Sequence, residues 1–405
     1  MGASSNNLSP AELLGTRENW RKVRFGDVVR CVNETVKDPL ASKVERFVGL
    51  DHIEPGNLHI KSWGNVADGT TFTRTFKPGQ TLFGKRRAYQ RKVAYAEFEG
   101  VCSGDIYIFE PADDKLIPEL LPFICQTDRF FEMAVGTSAG SLSPRTNWKH
   151  ITDYEFLLPP LDDQRRIAEI LWAADELAEA VRRAKGTAEE ALAAKLGSLF
   201  GPGGNGGREI RFPLRPLRDV ALLQTGIAKG KRYPASIQTV ELPYLRVANV
   251  QDGRLDLSEM KTIVVPESDQ RRYLLQDGDV VICEGGDFDK VGRGTLWRGQ
   301  ISPCLHQNHI FCLRADHSLL IPEFLDLQLG SPYGKKYFLG CAKKTSNLAS
   351  INSTQVKAFP FQLPSLGEQR RIVEETGALK ASHGALGDHL SATSALLRNL
   401  NEVWT

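Results

Sequence analysis

Two kinds of apolar spacing alternate along the chain. Short runs of alternating character, Arg46 to Leu50, Gln80 to Phe83, Ile106 to Phe109, Tyr244 to Val247, Asp279 to Ile282 and Ile310 to Leu313, are separated by Gly, Pro, Asn and Asp. They predict mixed, strand-dominated domains. Two longer stretches, from about Asp162 to Phe200 and from about Gly367 to Trp404, space their apolar residues by threes and fours instead. Ile167, Leu171, Val181, Leu192 and Leu199 in the first, and Ile372, Leu379, Leu386, Leu390, Leu397 and Leu400 in the second, predict helices that bury a seam against a partner helix. Two amphipathic helices packed on their own domains are the alternative. Gly186, Gly197, Gly377, Gly384 and Gly387 weaken isolated helices by about 1 kcal/mol each, and in a seam they would let two axes approach closely. Ser365-x-x-Glu368 predicts a capping box.

The chain is written twice. Leu116-Ile117-Pro118-Glu119 recurs as Leu320-Ile321-Pro322-Glu323, and a helix is expected after each copy. Leu158-Pro159, Leu161 and Gln164-Arg165-Arg166-Ile167 recur as Leu363-Pro364, Leu366 and Gln369-Arg370-Arg371-Ile372. Weaker echoes keep the same order: Asp27-Val28 with Asp219-Val220, Gly56-Asn57-Leu58 with Gly253-Arg254-Leu255, Pro78-Gly79-Gln80 with Asp277-Gly278-Asp279. Self-similarity at this spacing reads as an internal duplication. The expected division is a disordered start at 1–15, a mixed domain at 16–160, a helix at 161–200, a glycine-rich linker at 201–209, a second mixed domain at 210–365 and a second helix at 366–405.

Composition narrows the function. The 405 residues carry 41% hydrophobic and 25% charged residues, with a formal net charge of only +2. A nucleic-acid ligand must therefore be argued from local charge. Seven cysteines without a C-x-x-C pair suggest a reducing, cytoplasmic setting. The polar start lacks a signal-peptide pattern, and no apolar run is long enough to span a membrane. There is no dinucleotide fingerprint, no G-x-S-x-G elbow, no H-E-x-x-H pair and no N-P-P-aromatic or D-P-P-aromatic motif. Gly226 to Lys231 is one residue short of a P-loop, and Arg232 stands where Ser or Thr is needed. His306 and His309 are three apart with no third ligand in view, so no metal site is expected. No catalytic residue is assigned.

Local charge does point to nucleic acid. Between Thr70 and Ala96 lie Arg74, Lys77, Lys85, Arg86, Arg87, Arg91 and Lys92, with Tyr89 among them and no acid. Such a run attracts phosphates, and Arg also reaches guanine with two hydrogen bonds; a solvated basic hairpin is the alternative. The polar loop Gly136 to Asn147 offers Ser138, Ser141, Ser143, Arg145 and Asn147, unless it is an ordinary surface turn. Its counterpart in the second copy offers Lys343, Lys344, Thr345, Ser346 and Asn347. The region matching the basic run carries acids, leaving Lys290, Arg293 and the Gln307-Asn308-His309 turn as contacts, unless these belong to a buried turn network.

The passages LLPPLDDQRRIAEIL and QLPSLGEQRRIVEET, with RFGDVV, LQDGDVVICEGGDFDKVGRG, LHQNHIF and KKTSNLASIN, resemble the specificity subunit of type I restriction–modification enzymes. Asp163 before the first Gln, against Glu368 before the second, is a mild departure. The resemblance implies an α+β chain of two target-recognition domains separated by two long antiparallel helices. Each domain would read half of a split, asymmetric duplex site, and the helices would dock modification subunits, two of them expected. S-adenosylmethionine, ATP and Mg would sit on modification and restriction partners, and this chain would be non-catalytic. A helix of ~38 residues is about 57 Å long, so the two domains would meet DNA more than one ~34 Å turn apart. A self-contained nuclease or methyltransferase, and a coiled-coil scaffold for proteins, are the rival readings.

Overall fold

The computed structural model describes residues 17, 19–140, 142–201, 210–230, 233–344 and 348–402. The expected disordered start at 1–15 and all but the first residue of the expected linker at 201–209 lie outside them. The chain divides into two units, 1–181 with 389–405, and 182–388.

In the first unit, β1 (Val29–Val32), β2 (Thr81–Gly84), β3 (Val93–Tyr95) and β4 (Ile106–Pro111) form an antiparallel sheet in the order β1-β4-β2-β3. In the second unit, β5 (Ala221–Thr225), β6 (Val280–Cys283), β7 (Gly294–Leu296) and β8 (Ile310–Ala315) pair in the order β5-β8-β6-β7. Both central hairpin strands, Thr81–Gly84 and Val280–Cys283, are buried on both faces, which is why they read as short continuous apolar runs. Each unit adds a second sheet with one parallel pair, Arg46–Val48 with Gly100–Cys102 and Thr239–Leu245 with Leu305–His306. Each also has a two-stranded ribbon just before its long helix, Arg21–Arg24 with Glu155–Leu158 and Leu214–Pro216 with Pro360–Gln362. The weak echoes are backbone requirements. Gly56 and Gly253 take φ of +72° and +71°, and Gly79 and Gly278 take +86° and +90°, a region that glycine enters without steric cost.

The two strongest repeats touch each other. The buried Gln164 side chain donates to the carbonyls of Lys115 (2.7 Å) and Pro159 (2.9 Å) and accepts from the amide of Ile117 (3.0 Å). Gln369 does the same with Leu319 (2.9 Å), Pro364 (2.9 Å) and Ile321 (2.9 Å). One amide side chain thus satisfies three buried backbone groups and staples the start of each long helix to the Leu-Ile-Pro-Glu turn. The helix after the second copy of that turn begins on its proline (Pro322–Gly330), whereas the first copy yields only Leu121–Ile124.

The long helices are α1 (Leu161–Phe200) and α2 (Leu366–Asn401). Within the first unit, Ile167 and Leu171 are fully buried in one cluster with Leu400, and Leu397 packs against it. Within the second, Leu199 shares a core with Ile372, Leu192 packs against it, and Lys195 meets Glu375 at 3.0 Å. Val181, Leu379, Leu386 and Leu390 are half-buried. The expectation that seam glycines bring the axes together is corrected at four positions: a Cβ at Gly186, Gly197, Gly377 or Gly384 would meet nothing within 4 Å. Only at Gly387 would it touch a neighbour, Lys185 at 3.7 Å. The capping box is half made. Ser365 Oγ accepts from the amide of Glu368 (3.3 Å), but the Glu368 carboxylate is taken by Arg371 and Arg211.

In the first unit, His59 Nδ1 lies 2.6 Å from Glu97 and Nε2 lies 2.8 Å from the buried Asp175 on α1. Lys61 and Glu179 pair beside it, and Trp172 meets the imidazole edge-on. A neutral imidazole has one N–H and serves one acceptor; only the imidazolium serves both. The hydrogen bond to Asp175, opposed by burial and aided by Glu97, raises the pKa of His59. A raised folded-state pKa gives stability that is complete below the ordinary value of ~6.5 and is lost as pH rises through the folded-state value. The melting temperature of His59→Gln should therefore lie below that of the parent at pH 6 and approach it at pH 8. A gap that widens with pH would contradict this.

Candidate nucleic-acid interface

Each unit presents the turn that follows its central strand, β2 or β6, braced by the polar loop. In the first unit, Thr146 donates to the Lys85 carbonyl (2.9 Å), Arg87 to the Pro144 carbonyl (2.7 Å), and Arg86 pairs with Arg145 through the backbone. In the second, Ile351 donates to the Glu284 carbonyl (2.9 Å), while Gly285 and Gly286 pair with Ser350 and Ala349. The Lys85 amide donates to the Asp105 carbonyl (3.0 Å), as that of Glu284 does to His309 (2.9 Å). Asp105 and His309 therefore occupy equivalent positions with unlike chemistry.

In the first unit Asp105 organises the cations. Its carboxylate accepts from Arg145 Nε (2.8 Å) and Nη2 (3.4 Å) and from Arg86 Nη1 (3.4 Å). Arg86 and Arg87 also share Ser143 Oγ, at 3.1 and 3.4 Å. Burial opposes ionisation of Asp105, but the Arg145 hydrogen bond and the charges of Arg145 and Arg86 outweigh it and hold the carboxyl below its usual range. In the second unit His309 Nδ1 lies 2.6 Å from Glu284, Lys290 pairs with Asp287, and Lys344 Nζ sits 3.7 Å above the Phe288 ring.

Other candidates turn inward. Arg74 donates to the Ile106 carbonyl (2.8 Å), and Arg91 pairs with Asp128 (2.6 Å), donates to Gln126 and covers Phe131. Lys92 and Arg293 are equivalent clamps on the carbonyls of Leu50 and Val247. Lys77 meets Glu34, Lys85 lies 4.6 Å above Tyr107, and burial followed by the Arg74 charge lowers the Lys85 pKa. Ser138 Oγ donates to the Ala134 carbonyl and meets Thr146, and Asn147 caps the helix Trp148–Ile151. Gln307 and Asn308 are half-buried, their amides on the carbonyls of Leu245 and Ile227. Tyr89 is exposed, as is Lys343, which pairs with Ser350 in its strand. Ser141, Thr345, Ser346 and Asn347 lie outside the described residues. His306 is fully buried with Nδ1 on the Tyr273 carbonyl, and burial lowers its pKa. Among the described residues no group of three or more metal-ligating side chains comes together, and no helix is long and apolar enough to cross a membrane.

Sequence reasoning missed Asp105, Glu284 and Phe288 as site residues. The repeat held the signal for the first, because aligning Ile106 with Ile310 sets Asp105 opposite His309.

Residues 17–185 match the family model of the type I restriction modification DNA specificity domain. The type I restriction enzyme EcoDI specificity subunit of Escherichia coli is 29% identical over 186 residues, covering 43% of this chain and 39% of that protein. The EcoKI specificity subunit of Escherichia coli strain K12 is 27% identical over 40% of this chain and 35% of that protein. The matches thus span well under half the length of these curated relatives. Among solved structures, the S subunit of a type I restriction-modification system from M. genitalium matches in fold, with a TM-score of 0.56 and 13% identity over 97% of this chain and 99% of that one.

Proposed function

We propose that this chain, which belongs to the specificity subunits of type I restriction–modification systems, selects the DNA sequence on which partner subunits act and performs no bond-making or bond-breaking step itself. Each unit reads one block of a bipartite, asymmetric duplex site. The observation that carries this reading is one braced turn built twice with different side chains: arginines gathered on Asp105 in one unit, and a Glu284–His309 pair with Lys290 and Lys344 in the other. A common scaffold with unlike hydrogen-bonding groups suits two readers of two sequences, since base edges are distinguished by their donors and acceptors.

In this reading Arg87 and Lys343, both exposed, supply phosphate contacts that fix register. The long helices dock modification subunits, two of them, and a restriction subunit joins the assembly. S-adenosylmethionine, ATP and Mg belong to those partners.

Replacing Arg86 and Arg87 together with alanine should weaken binding to every duplex. It should also lower the slope of log K against log salt by about 2, because each lost phosphate contact removes about 0.9. Fluorescence anisotropy across a salt series reads this directly, and a slope equal to that of the parent would remove the pair from the interface.

A further inference from the structure

Both braced turns carry an exposed aromatic ring at their tip. Tyr89 lies in the single 3-10 turn Ala88–Gln90 with 56% of its surface exposed, and Phe288 opens the matching turn Phe288–Lys290 with 40% exposed. A leucine of the bracing loop is exposed beside each, Leu142 at 90% and Leu348 at 59%. Single exposed apolar residues are ordinary, but an aromatic and a leucine at the same two places of both units, next to cations, are not a scatter.

The backbone is shaped to hold the rings out. Arg87 and Arg91, on either side of the first turn, both have φ of +55°, a conformation uncommon for residues with a side chain. Strain of this kind persists where surrounding contacts enforce it, and it gathers at ligand-binding sites. The contacts are present: the Arg87 amide is tied to Pro144, and the Arg91 side chain to Asp128 and Gln126. In the second unit Gly286 (φ +150°) and Gly292 (φ +72°) make the bends, and Lys344 lies over the Phe288 ring. Each tip thus combines a flat apolar face with a positive charge held close to it.

Resting on the reading of this chain as a duplex binder, we infer that Tyr89 and Phe288 are base-stacking wedges, one per unit. Each presses its ring against the face of a base at a locally opened step while the adjacent cation takes the phosphate. A ring face meets all bases alike, so the discrimination it adds comes from how easily a step opens, which depends on sequence.

The test uses the full chain assembled with its modification subunits, on a duplex containing the mapped site. Tyr89→Ala and Phe288→Ala should each weaken specific binding by about 10-fold or more, the size expected for one lost base–aromatic stack. Tyr89→Phe should bind like the parent, because the ring is kept. The salt slope should not change, since no phosphate contact is lost, and melting temperatures should stay at the parent value because both rings are exposed. A mismatch at the opened step, which lowers the cost of unstacking, should tighten parent binding and leave the alanine variant of that unit unmoved. Parent-like binding by both alanine variants overturns the wedge and leaves the duplex-binding reading intact. Failure of the parent assembly to bind any duplex overturns both.

Discussion

Gln369→Leu should destabilise the second unit by about 3 kcal/mol, and Gln164→Leu should do the same to the first. Leucine fills nearly the same volume but orphans the amide of Ile321 and the carbonyls of Leu319 and Pro364, or in the first unit the amide of Ile117 and the carbonyls of Lys115 and Pro159. Both sites are sealed from water, Gln164 at 1% and Gln369 at 0% exposure. A buried polar group left without a partner costs about 1–3 kcal/mol, so three orphans, softened by local relaxation, set the expected size. Against a typical domain stability of about 5–15 kcal/mol this is a large fraction. Urea titration should move the midpoint well down for each variant, and a parent-like midpoint would mean that the staple is dispensable.

Asp105→Ala should loosen sequence choice while strengthening indiscriminate binding. The carboxylate holds Arg145 through two hydrogen bonds and Arg86 through one, and it offsets part of their charge. Without it the two guanidiniums lose their common anchor, and the turn becomes more positive. Affinity for unrelated duplex should rise, since phosphate attraction needs no orientation. Affinity for the cognate site should fall, since paired hydrogen bonds to a base need a fixed fork. The ratio of the two affinities should drop by about 10-fold, the scale of one good base contact. Competition binding at fixed salt measures that ratio; an unchanged ratio would reduce Asp105 to a surface charge.

The fold was legible where physics acts along the chain. Period-two runs marked the hairpin strands of both sheets, period-three-and-four runs marked α1 and α2, and the duplication tied the halves together. The candidate site was legible in place and much less so in detail. A basic window reports the density of charge, not its direction, and Arg74, Arg91 and Lys92 spend theirs on the carbonyls of Ile106, Gln126 and Leu50, with Arg91 also pairing with Asp128. Their partners lie 32 to 42 residues away, beyond any local pattern. Asn147 was available to a finer reading, because an asparagine just before a short helical turn is a natural cap. The role of Gln164 and Gln369 was hidden for the opposite reason. The repeat made them conspicuous, but only the folded chain brings the two repeated motifs into contact.

The central claim is that two copies of one scaffold read two blocks of DNA. Its most direct measurement replaces residues 16–160 with the matching segment of a relative of different specificity, restores the assembly to a host lacking other such systems, and maps methylated adenines across the genome. The account predicts methylation at a new site in which one block has changed while the other is retained. Methylation at the original site, or at a site altered in both blocks, would contradict it.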